Sequence, residues 1–183
     1  MSEMRKKILW ITRTAVMIAL LVTLQWGTGF TQAFAGQFIT GSCVNAVLAV
    51  SVLFGGLGCG AVVALLSPFC AFLVGVGPAI VQVIPCIALG NLAFVLVLHT
   101  LNKESSKLWR QVVNVLVSAV GKCAFLYVAV VRAVLPAMAE VIKPQQAEKL
   151  SAMFSWPQLV TALIGGLIAI PVVKLLKKVF HKQ

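Results

Sequence analysis

Residues 38–74 read FITGSCVNAVLAVSVLFGGLGCGAVVALLSPFCAFLV. Two apolar runs flank Gly55-Gly56-Leu57-Gly58-Cys59-Gly60. A single helix through all of it would be about 55 Å long at 1.5 Å per residue, far more than a hydrocarbon core of about 30 Å. Glycine-rich stretches make poor helix interiors and good tight turns. The stretch therefore reads as a helical hairpin, with runs from Phe38 to Phe54 and from Gly60 to Val74. Its short turn is tolerable only where the backbone groups reach the interface or protein.

The same reading extends in both directions. Further apolar runs cover Ile8 to Trp26, Pro78 to Leu101 with Pro85 inside it, Val112 to Leu135 ending at Pro136, and Pro157 to Leu176. Gly75-Val76-Gly77-Pro78 separates the third run from the fourth. The chain is 61% hydrophobic and 10% charged, with a mean hydropathy of +1.04. A soluble domain carries about 25% charged residues, so this chain cannot cover itself with a polar surface. The expectation is an all-α, polytopic membrane protein, a single domain over residues 1–183 with six transmembrane helices.

Orientation follows from the cations. Arg5, Lys6, Lys7 and Arg13 open the first helix, Lys103, Lys107 and Arg110 follow the fourth, and Lys174, Lys177, Lys178 and Lys182 close the chain. Six crossings place all three clusters on one side, which the positive-inside rule makes cytoplasmic, with both termini there and the protein in the cell membrane. On the other side Lys143 and Lys149 are balanced by Glu140 and Glu148. A cleavable leader ending at Ala33-Phe34-Ala35 also fits charge parity, and Arg13, Gln25 and Trp26 weigh against it. Trp10, Trp26, Trp109 and Trp156 lie near helix ends, as interfacial anchors do. The stretch from Lys143 to Phe154 reads as amphipathic and surface-lying.

The net charge of +11 does not point to nucleic acid, because the cations flank apolar runs and no basic groove with interleaved aromatics is visible. Cys43, Cys59, Cys70, Cys86 and Cys123 share no metal-ligand spacing and read as packing residues, with no metal expected. The four acids, Glu3, Glu104, Glu140 and Glu148, lie in the tail or loops, and His99 and His181 near helix ends. No catalytic constellation, Walker motif or HExxH or GxSxG motif occurs. Neither an enzyme nor a cofactor is expected.

Lys122 stands out. It falls near the midplane of the fifth helix, where a cation is costly unless paired or wetted, and no acid lies at that depth. Two readings stand: internal bonding to carbonyls or amides, or an anionic ligand or a ligand's polar group in a watery cavity. Asn45 and Asn91 fall at similar depth, with Gln82 and Arg132 nearer the outside and Gln37 close to the mouth. Amides donate and accept, and small sites use a few convergent polar groups in an apolar shell. These six residues form the candidate binding set. Arg132 also has Glu140 or the headgroups as a resting place. In the first helix Ala15 and Ala19 form a small-xxx-small pair beside Thr12 and Thr23, a spacing that permits close helix approach.

Three local stretches then carry a resemblance. Thr12-Arg13-Thr14-Ala15-Val16-Met17-Ile18-Ala19-Leu20-Leu21-Val22, Gln37-Phe38-Ile39-Thr40-Gly41-Ser42-Cys43-Val44-Asn45 and the ending from Phe154 to Gly166 resemble the substrate-binding S component of an energy-coupling-factor (ECF) transporter. The resemblance implies capture of a vitamin or other micronutrient from outside. It implies a transmembrane T component and two ATPases as partners, docking through Ala15 and Ala19, and an outward cavity near helices four to six and the first outer loop. A structural or assembly membrane protein without ligand is the main rival; a lipid-acting enzyme and a secondary transporter lack the required side chains.

Overall fold

The structure is a computed structural model and describes residues 3–29, 34–77, 80–102 and 107–180. Ala33, Pro78, Lys103, Glu104, His181 and Lys182 lie outside the described residues. The chain forms α1 (Glu3–Gly29), α2 (Phe34–Gly55), α3 (Leu57–Leu73), α4 (Val83–Leu101) and α5 (Leu108–Leu126). α5 continues as a π-helix over Tyr127–Val134 and one further turn, α6 (Leu135–Ala137). A short α7 (Pro144–Met153) precedes α8 (Trp156–Phe180). Among the described residues five helical stretches are long and apolar enough to cross a membrane, and α3, with 17 residues, is a shorter apolar helix. The molecule is an all-α polytopic bundle.

The glycine-rich hairpin is tighter than expected. Only Gly56 leaves the helical region, with φ +87°, so α3 starts at Leu57. The other glycines of the stretch are helical and serve close approach: a Cβ on Gly60 would lie 2.7 Å from the Val52 Cβ. α3 ends in a Schellman arrangement, with Val76 N–H donating to Ala71 O and Gly75 N–H to Phe72 O, and Gly75 takes the left-handed position. α4 begins at Val83, later than the run suggested. Pro85 thus falls in the first turn, where its missing N–H has no intrahelical acceptor to disappoint. The fifth helix begins at Leu108, earlier than its apolar run. The π-stretch near its end is a feature that hydropathy does not signal.

Side-chain contacts group the helix ends. Arg13 lies 4.7 Å from the Phe54 ring centroid and Phe54 5.5 Å from that of Phe180. The start of α1, the α2–α3 turn and the end of α8 therefore share one end of the bundle. At the opposite end Thr40 donates to Thr28 (2.7 Å) and Gly29 abuts Val76, which gathers the end of α1, the start of α2 and the turn after α3. The largest apolar core fills the former half, with Val47, Leu48, Val63, Phe94, Val95, Leu98, Val115 and Ala169 all buried. A smaller cluster of Val83, Leu126, Val130, Leu135, Leu150 and Phe154 anchors α7.

In a bilayer the lipid is as apolar as the core, so helices associate through close packing rather than hydrophobic drive. Glycines at the α8 interfaces supply it. A Cβ on Gly165 would stand 2.5 Å from Ser42 O and 2.6 Å from Ala46 N, both backbone atoms that cannot rotate away. One on Gly166 would meet Val115 at 2.5 Å. Gly165→Val is therefore expected to destabilise the detergent-extracted protein by about 1–3 kcal/mol. Gly121→Ala, with nothing within 4 Å of the added carbon, should leave its melting temperature unchanged or raise it. Equal melting temperatures for wild type and Gly165→Val would show that the α2–α8 contact is looser than described.

Candidate functional site

Lys122 is 3% exposed and is the only buried charged side chain among the described residues. Its Nζ donates to Asn91 Oδ1 (2.6 Å) from α4 and to Asn45 Oδ1 (2.7 Å) from α2. The Phe94 ring centroid lies 5.8 Å away. Charge-assisted bonds of this length are among the stronger ones available to a protein. They offset desolvation, but both acceptors are neutral. A positive charge on this nitrogen would be solvated by them and not cancelled.

The amides are themselves oriented. Asn45 Nδ2 donates to Gly41 O (2.8 Å) and to Thr161 Oγ1 (3.4 Å), and Asn91 Nδ2 donates to Ser67 Oγ (3.4 Å). Because an ammonium can only donate, each oxygen must face Lys122 and each NH2 must face away. Ser67 O in turn accepts from Gln25 Nε2 (3.2 Å). One polar chain thus runs Gln25–Ser67–Asn91–Lys122–Asn45–Thr161 and takes one member from each of the six long helices.

This chain borders a cavity of about 730 Å³, within the range of small-molecule sites. The cavity lies at the end of the bundle away from the termini. Lys122, Asn91, Asn45, Ser67 and Gln25 border its deep side, while Gly75, Val76, Gln37 and Lys149 belong to elements at its mouth. The packed apolar core closes it on the side of the termini. Among the described residues no acid lines it, and two lysines do. The end of α7 borders it through Ala152, Met153 and Phe154. Gln37 and Gln158 both donate to Met153 O, each at 3.2 Å, and so tie that segment to α2 and α8.

Of the expected binding set, Lys122, Asn91, Asn45 and Gln37 line this one cavity. Gln82 and Arg132 do not line it. Gln82 is exposed at the start of α4. Arg132 is exposed, with its guanidinium carbon 5.9 Å from the Tyr127 ring centroid and no ion pair to Glu140. Gln25, Ser67, Gln158 and Thr161 were missed by sequence reasoning. Each is a lone polar residue in an apolar helix, a signal that cannot separate cavity lining from an interhelical bond. Ala15 and Ala19 are exposed on α1, opposite its buried face of Thr14, Met17, Leu21 and Gln25.

The family profile described as "ECF transporter, substrate-specific component" matches residues 10–177 of the chain. No curated protein and no solved structure matches it.

The amide pair makes a specific thermodynamic expectation. Asn91→Leu removes one of two acceptors from a buried ammonium and should destabilise the protein by about 1–3 kcal/mol. Adding Lys122→Met in that background should recover part of the loss, because the stranded charge is gone. Thermal unfolding of the two single variants and the double variant measures the coupling. Strictly additive effects would mean that Asn91 does not hold Lys122.

Proposed function

The chain belongs to the family of ECF transporter substrate-specific components, and from that premise we propose that the cavity bordered by Lys122 is its substrate site. The chain is a membrane-embedded substrate-capture subunit of an ECF transporter, and its family associates with a T component and ATPase subunits. The basic end of the bundle, with Lys174, Lys177 and Lys178 on α8 and Arg5, Lys6 and Lys7 on α1, faces the cytoplasm of the cell membrane by the positive-inside rule. The cavity then opens to the exterior, the side from which an importer must collect.

One observation carries the ligand assignment: a buried lysine amino group bonded to neutral amides, on the wall of a cavity with no acid among its described lining residues. A lysine held purely for structure is best served by an acid or by complete enclosure. Lys122 has neither. Two of its three donors are used on Asn45 and Asn91, which aim the group, and its charge remains for an anionic ligand group such as a carboxylate or phosphate. Lys149 at the mouth adds a second positive charge on the entry route. Gln37 lies at the mouth, and its bond to Met153 O holds the α7 end over the site. Gln82 and Arg132, away from the cavity, have no ligand contact in this assignment. Ala15 and Ala19 present the close-approach face of α1 to the T component.

The test is to purify the chain with its T component and ATPases and identify retained small molecules by mass spectrometry. An anion is expected. Lys122→Met should weaken its binding at least about tenfold, equivalent to about 1.4 kcal/mol, while Arg132→Gln leaves it unchanged. Retention of a cation, or affinity indifferent to Lys122→Met, would overturn the reading.

A further inference from the structure

Gln25 has two amide ends in different circumstances. The residue is 2% exposed and lines the cavity. Its Nε2 donates to Ser67 O, a carbonyl that can only accept, so the identity of the two ends is fixed by chemistry. Its Oε1 is fully buried and has no hydrogen-bond partner among the described residues. An orphaned buried acceptor costs about 1–3 kcal/mol, and in a helix that otherwise turns Thr14, Met17 and Leu21 inward an apolar residue would avoid that cost. By contrast, both amide ends of Asn45 and of Asn91 are used in hydrogen bonds.

We propose that Gln25 Oε1 is a specificity-determining contact that accepts a hydrogen bond from an N–H or O–H of the bound molecule. The proposal rests on the reading of this cavity as the capture site, and it narrows the ligand class. The bound molecule carries an anionic group for Lys122 and, separately, a neutral hydrogen-bond donor for Gln25. Sites built to bond a donor discriminate strongly against analogues without it, because the protein group is then left unpaired. Gln25 thereby separates hydroxy-bearing anions from their O-methyl ethers.

The experiment uses purified full-length protein and three pairs of probes that span different separations between the two groups. They are 4-hydroxybenzoate, 4-hydroxyphenylacetate and 3-(4-hydroxyphenyl)propionate, each with its methyl ether, titrated at millimolar concentration with the melting temperature as readout. At least one hydroxyl probe is expected to bind wild type about tenfold more tightly than its ether. In Gln25→Met the two members of that pair should bind equally. Equal shifts for all three pairs in wild type, zero included, overturn the proposal, as does selectivity that persists in Gln25→Met. Equal shifts within each pair that are lost in Lys122→Met would remove the role of Gln25 while leaving the capture site in place. Shifts indifferent to Lys122→Met would remove both.

Discussion

A cation at mid-membrane depth has to be solvated by something, and here the solvent is protein amide. Lys122 reaches neither headgroups nor an acid, so the bundle must bring two oxygens to it. Asn45 and Asn91 do this from helices on either side, and each must surrender its remaining donor elsewhere, to Gly41 O and Thr161 on one side and to Ser67 on the other. The requirement thus propagates outward from one nitrogen until every long helix contributes a polar group. That propagation links six apolar rods which, in lipid, have little other reason to choose one register. Hydrophobic contact between such helices is nearly degenerate with lipid contact, whereas a charge stranded by a slipped helix is expensive.

The polar chain also divides the molecule. On the side of the termini, side chains such as Leu48, Val63, Phe94 and Val95 are fully enclosed, and glycines let α8 press against α2 and α5. On the other side lies the cavity, bordered by the end of α7 and by the turn after α3. The packed half supplies rigidity, and the open half carries the polar groups. Phe94 belongs to both, as a core side chain whose ring face lies near the ammonium. A cation above an aromatic face gains electrostatic stabilisation without any neutralising charge. Lys122 can therefore be tolerated in the unliganded protein without losing its attraction for an anion.

What the sequence made legible was set by how strong and how local each signal is. The all-α membrane fold was plain, because apolar runs bounded by cations have few other interpretations. The depth match of Asn45, Asn91 and Lys122 was accessible by counting residues along helices, since rise per residue is fixed. Azimuth is not fixed by counting, and this separates Gln37 from Gln82: both lie near helix starts, yet only the former borders the cavity. Arg132 lies within the π-stretch, whose wider turns change which way its side chains point. Gln25 was read as a polar interruption near the end of α1. Its inward direction depends on which stripe of α1 is buried, and that depends on neighbouring helices. Similarly, the turn between α2 and α3 is shorter than the glycine-rich stretch suggests, because glycines that ease helix packing look the same in sequence as glycines that bend the chain.

The two faces of α1 bear on how capture and partner docking relate. α1 buries only a narrow stripe, ending in Gln25, and leaves Ala15 and Ala19 exposed on the opposite side. Ala19 and Gln25 are about 9 Å apart along the axis, close enough to move as one rigid segment. Small exposed residues add little affinity for another helix in lipid beyond the closeness they permit, so docking on this face would depend on where the helix stands rather than on apolar area. The inward polar contact of α1 to the rest of the polar chain is a single bond to Ser67 O, beside an acceptor with no partner. Within the proposed assignment, a ligand donor would give that acceptor its partner and tighten α1 against the bundle. A ligand can shift a conformational equilibrium only through a difference in its interaction energy with the two states. On α1 the unpaired oxygen of Gln25 is the group at which such a difference would arise, and the outward stripe of Ala15 and Ala19 is the surface that would report it.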